Sequence, residues 1–441
     1  MGEFEPLYTA EEMKAAEEGH DVEAMMERAG AAVAAVVARD YPGARVVAVC
    51  GKGANGGDGR IAAAKLAAEV AEVGAELPAG DVVIDAIFGT GFHGEPREEA
   101  ARSIEAIRSA GVPVVAVDVP SGVNASTGEV SALCVEATTT VTFQGEKVGL
   151  AVAPGSLHAG KVEVADIGLE HADTAHALVT SEIARRVPQR QRGGNKYRSG
   201  SVLVVGGAPG LTGAVCLAAE AAFRADAGYV SVCAPRESLP VVEVRLLEAV
   251  KRPLEEAFDA AGRAEALALG PGLGRGEEAK PLVRRLLEET DLPAVVDADA
   301  LFGFEPVERG AATVLTPHSG ELARLLDVET QWVDAHRLEA AHRAVERFRC
   351  VVLLKGSETI IAAHGAKTLI SAGTPRLATA GTGDVLTGII GAFLAKGIEG
   401  QLAAAVAARV HADAALAAPH GRGLVASDVT AELPRVLDAA V

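Results

Sequence analysis

Apolar residues fall along this chain in short unbroken runs, each followed by a glycine- or proline-bearing loop and then by a stretch of helical periodicity. "ARVVAVCG" (44–51) is a clear case. A run of that length without polar alternation predicts a strand buried on both faces of a parallel sheet. "GRIAAAKLAAEVA" (59–71) then reads as a helix, "GDVVIDAIFGTG" (80–91) as a strand, "EEAARSIEAIRSAG" (98–111) as a helix and "PVVAVDVPSG" (113–122) as a strand. "TTTVTFQG" (138–145) and "KVEVADIGL" (161–169) complete the set. Strands alternating with helices predict a doubly wound α/β domain over residues 1–170.

Residues 171–194 are more polar and read as a linker, the basic run Arg185 to Arg192 being a solvated surface segment. The strand–loop–helix pattern then restarts at "GSVLVVGGAPGLTGAVCLAAEAAFRADAGYVSVCAP" (200–235). "EALALGPGLG" (265–274), "LPAVVDADAL" (292–301), "ATVLTPHSGEL" (312–322) and "CVVLLKGSETIIAA" (350–363) each read as a buried strand ending in a special loop, and a helix starts at or near Asp384. A second α/β domain over 195–441 follows, with its site along the carboxyl ends of the strands.

Composition narrows the picture. The chain is 49% hydrophobic with only 3% aromatics, which predicts cores of small aliphatic residues. A formal charge of −19 argues against a general nucleic-acid or anionic-membrane binder, since such proteins present a basic face to phosphates. Nucleotides stay admissible, because backbone N–H groups at helix starts hold them. Cys50, Cys134, Cys216, Cys233 and Cys350 are scattered and form no CxxC pair, the pattern of packed thiols in a reduced, cytoplasmic protein. The acidic start "MGEFEPLYTAEEMKAAEEG" has no apolar signal core, and no apolar run is long enough to span a bilayer.

Two groups of loops carry candidate chemistry. In the first part, "GKGANGGDG" (51–59) follows a strand and precedes a helix, "IDAIFGTGFHGEP" (84–96) puts Asp85 at a strand end, and "VDVPSGVNASTG" (117–128) puts Asp118 at another. Each residue by itself is a competent turn former. Together the strand ends offer Asn55, Asp85, Asp118 and Ser121, oxygen ligands of the kind a hard cation takes. In the second part, "ATAGTGDVLTG" (378–388) looks like a phosphate loop opening a helix, yet places Asp384 where a P-loop has lysine. An alcohol accepting a phosphoryl group needs a base. Asp384 suits that role while the N–H groups of Gly381 to Gly383 steady the transferring phosphate; the structural alternative is an N-cap aspartate. Lys355, His318, Glu321, Asp297, Asp299 and the turn "GPGLG" (270–274) sit in the neighbouring loops.

Residues 7–170, through "LYTAEEM", "MMERAG" and the three loops, resemble the NAD(P)HX epimerase domain, the YjeF N-terminal family. The resemblance implies a Rossmann-like doubly wound sheet that interconverts the R and S hydrates at nicotinamide carbon 6. It implies that Ala54, Asn55, Gly56, Gly57, Asp58, Gly89, Thr90, Gly91, Phe92, His93, Gly94 and Glu95 hold the hydrated cofactor. Asp118 is the implied substrate contact and catalytic residue; Asn55, Asp85 and Ser121 are the implied potassium ligands. Two departures stand out. Ala54 replaces the first Asn of the family loop, and only thirty residues separate Asn55 from Asp85, where the family spends about twice that on a further strand and helix. "AEVAEVGAELPAGD" (68–81) must replace that unit, so the sheet is expected to be one strand–helix unit short, with one pocket wall altered.

From about Asn195 to the C-terminus, through "NKYRSGSVLVVGG", "GLTGAVCLAAEAAFRADAG", "TPHSGEL", "AGTGDVLTG" and "GRGLVASDVTAELP", the chain resembles the ADP/ATP-dependent NAD(P)HX dehydratase family, of ribokinase-like fold. That resemblance implies that Ala214, Gly274, His318 and Asp384 touch the hydrate. Lys355, Gly356, Ser357, Glu358 and Thr359, with Thr374, Pro375, Arg376, Leu377, Ala378, Thr379, Ala380, Gly381, Thr382 and Gly383, are implied to hold the adenine nucleotide. Ser319 and Ala380 depart from the family's usual Pro and Gly. The implied chemistry is phosphorylation of the carbon-6 hydroxyl of the S hydrate by ADP or ATP with Mg2+, Asp384 acting as base, then elimination to NADH or NADPH. Homo-oligomers are implied as well. Two alternatives remain at this level: a ribokinase-like kinase of a vitamin-precursor alcohol, and an N-terminal domain that serves only as a binding or assembly module.

Overall fold

The computed structural model describes residues 2–170, 172–190 and 199–440. Asn195, the expected start of the second domain, and Gln191 and Arg192 of the basic run lie outside the described residues. The chain divides into two compact units: Pro6–Ala177 with Asp334–Leu338, and Met1–Glu5, Leu178–Val333 and Glu339–Val441. Of the stretch 171–194 expected as a linker, His176–Val179 is a strand and Ser181–Arg186 a 3-10 helix that buries Ile183 and Ala184.

The first unit runs through β1 (Phe4–Tyr8), α1 (Ala10–Glu17), α2 (Val22–Asp40), β2 (Val46–Cys50), α3 (Ala54–Leu66), β3 (Glu69–Glu72), β4 (Val82–Ala86), α4 (Glu98–Ser109), β5 (Val114–Val117), β6 (Thr139–Phe143), β7 (Glu146–Lys147) and β8 (Lys161–Ala165). Its main sheet has the order β3-β2-β4-β5-β6-β8 and is parallel throughout. Both faces are covered, which explains the unbroken apolar runs. Val46, Ala48, Ile84 and Val117 pack with Val33 and Val37 of α2 and Ala62 of α3. Val47, Val49 and Val83 face the other way, onto Ile104 and Ile107 of α4. Alternate residues of one strand thus serve opposite layers.

Residues 59–71, expected as one helix, are a helix and a strand. Ala67 takes φ 52° and ends α3. Glu69–Glu72 then pair in parallel with Val47–Cys50, burying Ala71. Pairing with the open edge of β2 satisfies these backbone groups, and that outweighs a helical composition. From β3 the chain crosses to the other side of β2 through residues 73–81, which carry no helix or strand. This is where the sheet is one strand–helix unit short. Val73 and Leu77 cover the α4 face, and the Gly74 N–H donates to Ser103 Oγ at 2.9 Å. The reversal of order at β2 opens a crevice at the carboxyl ends of the strands.

In the second unit the parallel strands lie in the order Val250–Pro253, Tyr229–Ala234, Ser201–Val205, Ala266–Leu269, Ala294–Val296, Thr313–Leu315, Val351–Leu354. The antiparallel strands Glu358–Ala362 and Thr368–Ala372 extend that row. The helix Thr382–Ala395 is apolar nearly all round and buried along its length, as such a helix must be. All five cysteines are free and buried. Among the described residues no helix is long and apolar enough to cross a membrane.

Helix Thr382–Ala395 packs on helix Thr212–Arg224 through Gly388, where an added Cβ would sit 2.1 Å from the Ala218 carbonyl oxygen. Gly388→Ala forces two backbones apart. We expect a loss of about 1–3 kcal/mol in urea unfolding, and an unchanged midpoint would refute this account of the packing.

Candidate active sites

At the mouth of the first unit's crevice lies a cleft of about 730 Å3. Ala54, Asn55, Asp58, Gly89, Thr90, Gly91, Phe92, His93, Glu95 and Asp118 all line it. Gly56, Gly57 and Gly94 are not on its wall. The first two serve packing. A Cβ on Gly56 would lie 1.9 Å from the Gly51 carbonyl oxygen, and one on Gly57 would lie 2.1 Å from the Met26 methyl. Absence of side chains there lets α3 start directly under the β2 end, with Gly53 as its N-cap.

Asp118 follows β5 with φ 67°, a left-handed conformation that costs a non-glycine residue strain and that aspartate tolerates better than most. Its Oδ1 pairs with Lys147 Nζ at 2.8 Å and accepts from Thr142 Oγ1 at 3.2 Å. Its Oδ2 accepts from the Thr90 N–H at 3.3 Å. Lys147 is only 1% exposed; its ammonium also donates to Thr142 Oγ1 and to the Phe143 carbonyl. β7 holds it in register, Lys147 standing opposite Tyr8 of β1. Asp58 is buried in the third position of that charge cluster, and its Oδ1 has no hydrogen-bond partner. Burial, with Asp118 and Glu17 nearby, pushes its carboxyl up to about 7. Glu17 is raised by burial and by Asp118, with Lys147 opposing. Glu17 and Lys147 are wall residues that motif reading missed. The one available signal was a lysine set in the apolar stretch "VTFQGEKVGL".

Asn55, Asp85 and Ser121 come together behind this wall. Asn55 Nδ2 donates to the Phe88 carbonyl at 2.8 Å. The Ser121 hydroxyl and N–H donate to the two Asp85 oxygens at 2.7 and 2.8 Å. Asp85 is fully buried, makes no ion pair among the described residues, and is pushed up to about 6 by burial against those hydrogen bonds. An all-oxygen corner around an uncompensated carboxylate fits a hard monovalent cation.

In the second unit the functional loops leave the carboxyl ends of adjacent strands. Asp297 ends the strand Ala294–Val296, and Lys355 follows Val351–Leu354. Lys355 Nζ lies 2.8 Å from Asp297 Oδ1 and 3.9 Å from Glu321. Thr387 Oγ1 donates to Asp297 Oδ2 at 2.7 Å. Burial opposes both charges of the pair, yet Lys355 holds Asp297 below the usual carboxylate range and Asp297 holds Lys355 above the usual lysine range. Ala298, at φ 50°, turns the chain so that Asp299 faces elsewhere, accepting the Gly274 N–H at 2.9 Å.

Helix Thr382–Ala395 begins beside this pair. Gly381 is its N-cap in the left-handed region (φ 91°), and Thr382 Oγ1 donates to the Leu377 and Thr379 carbonyls, closing the turn. A Cβ on Gly383 would be 3.4 Å from Lys355 Nζ and 3.8 Å from Asp297 Oδ2. The helix start and the lysine therefore stand side by side, an arrangement suited to an anion. Asp384 is pushed up to about 7, by burial first, then by Asp297, with Lys355 opposing. His411, overlooked in the sequence, is buried below the turn against the Thr382 backbone. Burial and Lys355 push it down to about 4, so it stays neutral.

Other expected residues take more distant roles. His318 caps helix Ser319–Leu326, its Nδ1 accepting the Gly320 N–H at 3.0 Å while Glu321 caps back. Arg376 turns away from the turn to donate to the Ala415, Leu416 and Ala418 carbonyls. Ser357 donates to Glu358, and Thr359 pairs with Ser371 in the sheet. Thr374 caps the 3-10 turn Pro375–Leu377. Ala214 lies in the first turn of helix Thr212–Arg224.

The sequence matches the NAD(P)H-hydrate dehydratase family over residues 202–435 and the family of the YjeF-related protein N-terminus over 22–78 and 69–149. The break between those two pieces falls at β3 and the helix-free crossing that follows it. A bifunctional NAD(P)H-hydrate repair enzyme of Moorella thermoacetica is 37% identical, covering 94% of this chain and 92% of its own. That of Escherichia coli is 33% identical over 95% of this chain and 90% of its own. The ADP/ATP-dependent NAD(P)H-hydrate dehydratase of Bacillus subtilis, co-crystallised with ATP and Mg2+, superposes with a TM-score of 0.56 at 28% identity, covering 59% of this chain and 98% of that one.

The raised Asp384 has a stability consequence. A carboxyl whose folded value lies near 7, against 3.8 unfolded, equals a neutral residue below pH 4, where both states are protonated; as pH rises towards 7 the unfolded chain ionises first, so stability falls and the full cost is present above 7. Asp384→Asn is therefore expected to raise stability at pH 8 by on the order of 2–4 kcal/mol and to change it little at pH 4. Denaturant melts at the two pH values check this.

Proposed function

The chain belongs to the family of bifunctional NAD(P)H-hydrate repair enzymes, and from that premise we propose how its residues divide the work. The protein epimerises R and S NAD(P)HX and dehydrates the S hydrate to NAD(P)H at the expense of ADP or ATP. We assign the dehydratase to the second unit. The observation that carries this is Asp384, raised to about 7 in the first turn of a helix, beside a glycine turn and the Lys355–Asp297 pair.

A base near neutrality that is drawn up against an anion site can take the proton of the carbon-6 hydroxyl as the terminal phosphoryl group arrives. The N–H groups of Gly381 to Gly383, with Lys355, stabilise the charge on that group in flight. Phosphate then leaves from carbon 6, and loss of the carbon-5 proton restores the dihydropyridine. Lys355 has a second effect. By neutralising Asp297 it limits how far Asp384 is raised, so that the base is ionised in a useful fraction at pH 7. Mg2+ carried in with the nucleotide would offset the charge of its phosphates as the terminal group is transferred. Ala214, Gly274 and His318 are proposed to meet the hydrate, and Lys355 to Thr359 and Thr374 to Gly383 to frame the nucleotide.

The epimerase is assigned to the first unit's cleft, with Asp118 against the substrate. Asn55, Asp85 and Ser121 are proposed as potassium ligands; burial of Asp85 with no cationic side chain paired to it among the described residues supports this. Homo-oligomers and a cytoplasmic setting complete the reading.

Recovery of absorbance at 340 nm from mixed R and S NADHX, with ADP or ATP and Mg2+, tests the assignment. Wild type should convert the whole pool. Asp384→Asn should lose at least about 100-fold in rate. Asp118→Ala should convert the S form and then slow to the spontaneous exchange rate. A stable phosphorylated alcohol in place of NADH would turn the second unit into an ordinary kinase. Replacing K+ by tetramethylammonium should lower the melting temperature of wild type and leave Asp85→Asn unmoved; equal shifts in both would remove the potassium assignment.

A further inference from the structure

We propose that Asp58 is the general acid of the first unit's cleft and that, paired with Asp118 as base, it inverts carbon 6 by expelling its hydroxyl as water and adding a water from the other face. This rests on the reading that NAD(P)HX occupies the cleft.

Carbon 6 of the hydrate carries both the hydroxyl and ring nitrogen N1. The nitrogen lone pair can expel the oxygen once it is protonated, and a base must then activate the incoming water. The reaction needs one carboxyl that gives a proton and one that takes a proton, and the cleft holds two carboxyl groups in contrasting surroundings. Asp118 is compensated: Lys147 Nζ stands 2.8 Å from Oδ1, and the Thr142 hydroxyl and Thr90 N–H complete its contacts. That surrounding gives the carboxylate a cationic partner and two further donors.

Asp58 has the reverse surroundings. It lines the same cleft, is 7% exposed, and makes no ion pair among the described residues. Its Oδ1 lacks a hydrogen-bond partner. The ionisable groups acting on it are Glu17 of α1 and Asp118, both acids. The buried cation at this wall, Lys147, is committed to Asp118. A carboxyl buried without compensation retains its proton, and its raised value of about 7 agrees. Compensation of one carboxyl and isolation of the other assign the base and the acid.

The step balances. Asp58 gives its proton to the departing oxygen, the C6–O bond breaks, and the N1 lone pair forms the N1=C6 bond. A water on the opposite face bonds to carbon 6, returning the pair to N1, and its proton goes to Asp118. One water leaves, one enters, and no oxidation occurs. The opposite epimerisation runs with the two carboxyl groups exchanging roles.

The test uses the full chain carrying Asp384→Asn, which silences dehydration, and R-NADHX separated from its epimer by chromatography, in H2 18O. S-NADHX formed at early times, corrected for the uncatalysed rate, should carry one solvent oxygen. Retention of the original oxygen would mean ring opening and would overturn the proposal. The enzymic rate should fall as pH rises through 7, and Glu17→Gln should keep that limb. Asp58→Asn should lower kcat by about 100-fold or more with KM little changed, abolish the limb, and be partly rescued by Asp58→Glu. A limb that disappears with Glu17→Gln instead, or an undiminished kcat in Asp58→Asn, would overturn the assignment. The oxygen measurement needs no cleft variant, so it stands even if Asp58→Asn misfolds. Failure of the functional reading looks different: no epimer exchange above background without cleft substitutions.

Discussion

In each unit a lysine pairs with an aspartate at the end of a parallel strand, and the chemistry of both sites depends on those two ion pairs. Lys147 compensates Asp118, and Lys355 compensates Asp297. A second carboxyl stands close to each pair and receives no cation of its own: Asp58 in one unit, Asp384 in the other. Burial penalises every charge in such a place. The lysine gives one carboxyl a cationic partner, and the neighbour is left near 7, where it can gain or lose a proton. Removing either lysine would leave a buried, uncompensated carboxylate as well as an altered acid or base.

Parallel sheets put these groups where they are. The strands are buried on both faces, so their carboxyl ends are among the few places where polar side chains from consecutive elements can meet. In the first unit the chain order reverses at β2, and the loops after β2, β4 and β5 supply the cleft through Asn55, Gly89 and Asp118. In the second, Asp297 and Lys355 come from strands separated in the sheet only by Thr313–Leu315. Glycines then permit the approach of backbone to backbone that brings a helix start up to each site. Gly56 does so against Gly51, and Gly388 against Ala218. The short crossing after β3 leaves β3 as the edge strand, on the side of β2 away from β4 and β5.

Much of the fold was legible from the chain. Val46–Cys50, Ser201–Val205 and Val351–Leu354 are continuous apolar runs, and being buried on both faces is the reason they read so clearly. Glu69–Glu72 escaped, since "AEVAE" looks helical in isolation and becomes a strand only because β2 presents an open edge. The site motifs were equally uneven. Gly381 to Asp384 announced a phosphate turn, whereas Arg376, within the same expected nucleotide loop, spends its guanidinium on a helix end. Gly56 and Gly57 stand in a substrate motif and serve packing.

The sequence by itself determined which strand ends carry carboxyl groups, which turns open onto helix starts, and hence that two α/β sites exist, because these are local properties of consecutive residues. Only the tertiary structure decided the protonation of those groups. Lys147 lies 29 residues beyond Asp118 and Lys355 lies 58 beyond Asp297, and His411 reaches Thr382 from another helix. Whether a buried carboxyl is an acid, a base or a cation ligand depends on the dielectric around it and on the charge a few ångströms away. Both are set by which distant segments pack together, and no local pattern of residues records that.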